Sequence, residues 1–197
     1  MAESDRERWN RRYSERYAEH EYAGRPNRWL AENEGSVLPP YPGARALDLA
    51  CGPGRNAVWL AERGWTVDAW ELSDVALRML AREIERQAEA GAPIAVRPRE
   101  IDLDSATIPP ETYDLVLNIL FLDRRLWSGM AAALRPGGLL AFQTFVEAPG
   151  NPESEVSPAH LLQPGELRTA FEGFGLETVS YDEAGDRTTA RLLARRP

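Results

Sequence analysis

A short apolar segment at residues 44–49 (ARALDL) runs straight into Asp48-Leu-Ala50-Cys-Gly52-Pro-Gly54-Arg-Asn-Ala57 and then into a helical stretch, residues 54–63, stopped by Gly64. Such a junction admits few folds. The strand is buried, the turn is rich in glycine, and the helix starts at once, which is how a parallel α/β sheet makes its first crossover. Glycines there let a ligand approach the backbone closely. The amides at residues 54–56, at the start of the helix, offer donors to an anionic group.

The rest of the chain repeats the alternation. Residues 66–72 (TVDAWEL) read as a strand, after which Ser73 caps a long helix carrying Val75, Leu77, Leu80 and Ile84 until Gly91 ends it. Residues 94–101 hold a third strand, and Pro98, which cannot donate to a ladder, assigns it to a sheet edge. Residues 113–120 (YDLVLNIL) are the most apolar strand and are expected at the centre. A helix over 124–134, a turn at Pro136-Gly137-Gly138 and a fifth strand at 139–144 follow. After a polar, Pro-rich stretch, 145–163, come a helix over 164–174 and a closing antiparallel pair, 176–181 and 188–194, joined across 183–186. The expected fold is therefore a doubly wound, mostly parallel α/β sheet finished by an antiparallel C-terminal strand.

Ahead of this core, residues 3–20 place Trp9, Tyr13 and Tyr17 at i, i+4, i+8 among charges, the pattern of an amphipathic helix. A second short helix over 28–33 is expected to end at Gly35, before a Pro-rich turn at 39–43. At 197 residues the chain reads as a single domain, with 1–40 as an N-terminal helical segment and 41–197 as the core. The net charge is −8, and every one of the 23 basic residues is Arg. An acidic chain repels polyphosphate, so nucleic acid is not the expected partner. Cys51 is the only cysteine, which excludes an internal disulfide and suits a reducing cytoplasm. The N-terminus is charged where a signal peptide is apolar, and no run is long enough for a membrane span. Neither His20 nor His160 belongs to a metal-ligand cluster. The sequence sets no oligomeric state.

Glu71 ends the second strand 19 residues after Gly52, where a carboxylate can accept hydrogen bonds from a ribose diol. Gly52-x-Gly54-x-x-Ala57 alone also satisfies a loose dinucleotide pattern, which keeps a nicotinamide-dependent oxidoreductase among the alternatives. Asp48 four residues before Gly52, Asp102 after the third strand and the closing hairpin separate the two. With these, residues 40–197 resemble the class I S-adenosylmethionine-dependent methyltransferases, with Ala50 in place of the first glycine of that family's acidic-x-Gly-x-Gly-x-Gly motif. AxGxGRNAxxLA, the stretch from Asp74 to Leu77, Leu134-Arg-Pro-Gly-Gly138 and Leu162-Gln-Pro-Gly-Glu166-Leu further resemble the small bacterial tellurite-resistance and thiol methyltransferase branch, whose members act on small molecules.

The resemblance implies a seven-stranded Rossmann-like sheet, S-adenosylmethionine as cofactor and a small-molecule acceptor, such as a thiol or chalcogen oxyanion. By the same resemblance Asp48 organises the loop and the methionine ammonium, Ala50, Gly52 and Gly54 line the methionine and ribose, and Glu71 holds the ribose diol. Leu72 would pack on the adenine; Asp102 and Leu103 would meet its edge, although Asp102 also reads as a loop cap. Asn118, at the carboxyl end of the fourth strand, is expected beside the sulfonium. The pattern Trp9, Arg12, Tyr13 resembles a lid helix, with Arg12 meeting the cofactor carboxylate and Tyr13 closing over the methyl group. An equally open alternative is a helix packed by Trp9 and Tyr17 alone. Tyr13 and Glu147 are the candidate bases should the acceptor need one. Arg124 and Arg125 read as the opening of a surface helix, with an acidic substrate as the alternative, and Cys51 as a small buried residue. A non-catalytic cofactor-binding protein of the same fold is the third alternative.

Overall fold

The computed structural model describes residues 4–17, 24–39, 41–147, 160–184 and 189–197. Seven strands form one sheet in the order β3-β2-β1-β4-β5-β7-β6. The chain divides into two compact units, Met1–Ala106 and Thr107–Pro197.

In the first unit, β1 (Arg45–Leu49), β2 (Thr66–Glu71) and β3 (Val96–Glu100) are parallel, with β2 in the middle. From Ala46 to Leu49 every residue of β1 is buried, and β2 is buried from Val67 to Glu71. That is the continuous apolar run expected of strands covered on both faces. β3 is buried only at Val96, and Pro98 lies on an edge strand. Helix α4 (Arg55–Ala61) follows β1, and α5 (Asp74–Glu89) follows β2 with Ser73 as its cap, the Oγ accepting the Ala76 amide at 3.2 Å. Ahead of them lie α1 (Asp5–Tyr17), α2 (Arg28–Glu32) and α3 (Glu34–Val37). Gly35, expected to end the second helix, instead lies inside α3. The first stop is Asn33, whose amide bonds back to Leu30 and Trp29 before the chain turns again.

Helix α1 opens with a capping box. The Glu7 amide bonds the Ser4 hydroxyl at 3.3 Å, while the Ser4 amide reaches the Glu7 carboxylate at 2.9 Å. The side chain of Tyr17, part of the expected stripe, lies outside the described residues.

In the second unit β4 (Tyr113–Ile119) is buried at every position and parallel to β5 (Leu134–Phe145). A 3-10 turn (Arg124–Leu126) and α6 (Trp127–Ala133) connect them. The expected Pro136–Gly138 turn falls within the bounds of β5 and shows as a slip in register, from Tyr113 opposite Leu134 to Leu115 opposite Leu139. Helix α7 (Glu166–Gly173) precedes β6 (Glu177–Ala184) and β7 (Thr189–Arg195), and β7 runs antiparallel to both β5 and β6. Trp127, Phe142 and Phe171 pack as an aromatic trio, ring centroids 5.7–6.3 Å apart.

Candidate active site

The strand-to-helix turn after β1 folds as its glycines predict. Gly52 and Gly54 have φ of +56° and +81°, a region that glycine enters without a Cβ clash. A Cβ on Gly54 would stand 2.4 Å from Leu80 Cδ1, so this glycine is required by conformation and by space together. Ala50 also lies in the left-handed region, at φ +51°. Its place in the motif therefore carries backbone strain of about 1–2 kcal/mol, which a glycine avoids. The Gly54 amide is spent on the Cys51 carbonyl at 3.0 Å, so it is not one of the donors the sequence offers to an anion.

Two acidic side chains converge on this loop, and neither is a surface carboxylate. Asp48 is 1% exposed, and its Oδ2 is buried without a hydrogen-bond partner. Burial pushes its carboxyl up to about 8, Glu71 adds to the rise, and Arg55 and the Ala57 amide oppose it. Glu71 is 5% exposed and ties the loop to the next turn. One of its oxygens accepts the Gly52 amide at 2.9 Å, and the other accepts the Leu72 and Ser73 amides at 2.9 and 2.8 Å. Burial raises its pKa against the pull of those amides. A carboxylate offers about four acceptor positions, so in this conformation about one remains for a ribose hydroxyl rather than two. Cys51 is buried between these groups and its thiol is pushed up by that burial, which makes it an inert packing residue.

The N-terminal helix lies over the same loop. The Tyr13 hydroxyl stands 2.8 Å from where a Cβ on Gly52 would be, and Tyr13 stacks on Trp9 at 5.7 Å. Arg12 is exposed, its guanidinium 5.2 Å from the Trp9 ring centroid. Asn10 bonds Ser73 and Asp74, and Arg6 pairs with Glu100 at the end of β3. Sequence reasoning missed Asn10 and Arg6. The signal was present in the spacing 6, 10, 13, which sets both on one helical face with Tyr13. Leu72 is half-buried and Leu103 is buried. Asp102 is exposed and caps its own turn, its Oδ1 accepting the Asp104 amide at 3.0 Å, which is the loop-cap alternative.

In the second unit Asn118 is fully buried. Its Nδ2 donates to the Phe121 carbonyl at 2.8 Å, and its Oδ1 has no partner. Two residues on, Leu120 lies at φ +59° and is 43% exposed. Arg124 makes a two-pronged pair with Glu166 and bonds the Leu161 carbonyl at 2.9 Å, so it fastens the segment entering α7. Arg125 pairs with Asp123. Glu147 bonds Gln163, and Leu162 pairs with Val146, so the described ends of the polar stretch are held together. Residues 148–159 of that stretch lie outside the described residues, as does His20.

A mostly parallel sheet in this strand order, with β7 reversed and a glycine turn after β1, defines a Rossmann-like fold built to take a nucleotide cofactor at the carboxyl ends of its strands. The sequence is similar to a narrower class. Residues 46–138 match the methyltransferase domain family. A malonyl-(acyl-carrier protein) O-methyltransferase from Salmonella typhimurium is 33% identical over 109 residues, which cover 53% of this chain and 40% of that relative. A ubiquinone biosynthesis O-methyltransferase from Bordetella avium is 24% identical over 200 residues, 85% of this chain and 80% of the relative. Among solved structures, TehB from Haemophilus influenzae superposes with a TM-score of 0.74 at 20% identity, over 96% of this chain and 67% of that one. These matches support a class I S-adenosylmethionine-dependent methyltransferase; the family match covers just under half of the chain, and the chain spans less than half the length of the first relative.

The cofactor this family implies fits the groups present. An unpartnered acidic oxygen on Asp48 suits an ammonium. The left-handed loop at 50–54 carries no side chain at 52 and 54, with Tyr13 over the first and Leu80 against the second, and Glu71 keeps an acceptor position. No helix among the described residues is long and apolar enough to cross a membrane, and none of their His, Cys, Asp and Glu side chains form a group able to hold a metal ion.

Proposed function

We propose that this protein transfers a methyl group from S-adenosylmethionine to a small-molecule acceptor. The observation that carries the reading is the loop in which Asp48 presents an unpaired buried oxygen beside three alternate turn residues, Ala50, Gly52 and Gly54, all at positive φ. When bound, the cofactor supplies a methyl carbon already activated by a positive sulfonium. The work of the chain is then to bind, align and exclude water. Asp48 would neutralise the methionine ammonium and ionise in doing so. Ala50, Gly52 and Gly54 would line the methionine and ribose, and Glu71 would take a ribose hydroxyl while keeping the loop amides. Leu72 and Leu103 would flank the adenine. Asp102, with one oxygen on the Asp104 amide, would meet the adenine edge with the other. Asn118 would offer its open oxygen to a cationic part of the ligand. Arg12, exposed beside Trp9, would meet the cofactor carboxylate with its free N–H donors.

Residues 1–197 act, in this reading, as one methyltransferase domain with 1–40 as its lid. A thiolate or chalcogen oxyanion is already anionic and needs no base, which suits a site without a strong acid–base pair; a neutral acceptor would draw on Tyr13 or Glu147. The net charge of −8 favours such a small acceptor over nucleic acid, and the single reduced cysteine favours the cytoplasm. Labelled S-adenosylmethionine offered with thiols, oxyanions and small phenols tests the reading. Methyl transfer to at least one class is expected. Failure of S-adenosylmethionine and its demethylated product to bind in calorimetry, with a nicotinamide dinucleotide binding instead, would overturn it.

A further inference from the structure

Helix α1 is fastened to the first unit by three residues at i, i+4 and i+7. Arg6 pairs with Glu100, Asn10 meets the turn between β2 and α5, and Tyr13 reaches Gly52. The middle contact is a two-sided clasp. The Ser73 hydroxyl donates to Asn10 Oδ1 at 2.6 Å, and Asn10 Nδ2 donates to Asp74 Oδ1 at 2.6 Å. The polarity of this pair is fixed locally. Ser73 Oγ already accepts the Ala76 amide as the cap of α5, so its proton is free to go to Asn10. Asp74 is held below the usual carboxylate range, chiefly by Asn10 and then by Arg78, and as an anion it can only accept. A carboxamide is the one side chain of this size that both accepts from Ser73 and donates to Asp74.

We propose that Asn10 is a positioning residue that clasps the N-terminal helix onto the cap of α5, setting the Tyr13 hydroxyl over Gly52 and limiting how fast the cofactor enters and leaves. The second half of this proposal rests on the reading that the glycine loop holds S-adenosylmethionine. Tyr13 lies over Gly52 at the closest approach, so the helix must lift for a ligand to seat against that backbone and then close on it.

Hydrogen exchange of residues 5–17 in the ligand-free protein tests the clasp, and the dissociation rate of S-adenosylhomocysteine tests its consequence. Asn10→Ala is expected to speed both about tenfold, the effect of one to two lost net hydrogen bonds. Asn10→Asp is expected to do the same, because it sets a carboxylate against Asp74. Adding Asp74→Asn to Asn10→Asp reverses the donor and acceptor and is expected to restore slow exchange in both measurements. Asp74→Asn alone should change little, since its oxygen still accepts from Asn10. Helix exchange unmoved by Asn10→Ala, or no rescue in the double variant, would overturn the clasp. Faster helix exchange with unchanged dissociation would overturn its control of the cofactor. Absence of any S-adenosylhomocysteine binding to the wild type would instead overturn the proposed function, leaving the helix measurement to judge the clasp.

Discussion

Replacing Asp48 by Asn should make the ligand-free protein more stable, and the gain should grow with pH. Asp48, next to last in β1, is 1% exposed, and burial holds its carboxyl at about 8 against an unfolded value of 3.8. The folded chain thus keeps a proton that the unfolded chain has already lost. For a carboxyl whose folded pKa is raised, the penalty is absent below the unfolded value and accumulates as pH rises towards the folded one. The slope is at most about 1.36 kcal/mol per pH unit, so the span from 3.8 to about 8 gives a ceiling of about 5–6 kcal/mol. Between about pH 5 and 8 the same slope gives at most about 4 kcal/mol, and water entering around the ionised group brings the expected change over that window to about 2 kcal/mol. Asparagine keeps the shape and never titrates. Urea unfolding of both proteins at about pH 5 and about pH 8.5 should show the stability difference shifting in favour of the variant by about 2 kcal/mol. Parallel stabilities across that range would refute the argument that Asp48 is buried as the neutral acid. The same variant should bind S-adenosylhomocysteine more weakly, by about 2 kcal/mol for the loss of a charged partner.

Glu71→Ala should cost about 2 kcal/mol of ligand-free stability in thermal unfolding, because three backbone amides lose their acceptor, and should weaken cofactor-product binding as well. An unchanged melting temperature would mean those amides find water at no cost. Gly54→Ala should destabilise by about 2 kcal/mol or more through its collision with Leu80 and its left-handed φ, and Leu80→Ala in the same chain should fail to restore the strain portion. Ala50→Gly should raise stability by about 0.5–1 kcal/mol by relieving the positive φ; a loss of stability would show that the alanine methyl packs usefully.

The local elements of this fold were legible because their causes are local. Pro98 put β3 at the edge, Ser73 capped α5, the apolar run from Tyr113 gave a fully buried strand, and the glycines after β1 gave a left-handed strand-to-helix turn. Asp102 as a cap for its own turn was also readable, since the bond spans two residues. What the linear chain could not supply was the set of distances between segments far apart in sequence. The burial that neutralises Asp48, the three amides that occupy Glu71 and the bond of Asn10 to a turn 63 residues away all depend on how strands and helices pack. Propensity and spacing act over a few residues. Desolvation and hydrogen-bond partnership are settled by whatever the fold brings alongside, and here those contacts, more than the motif, decide which acidic groups are free to meet a ligand.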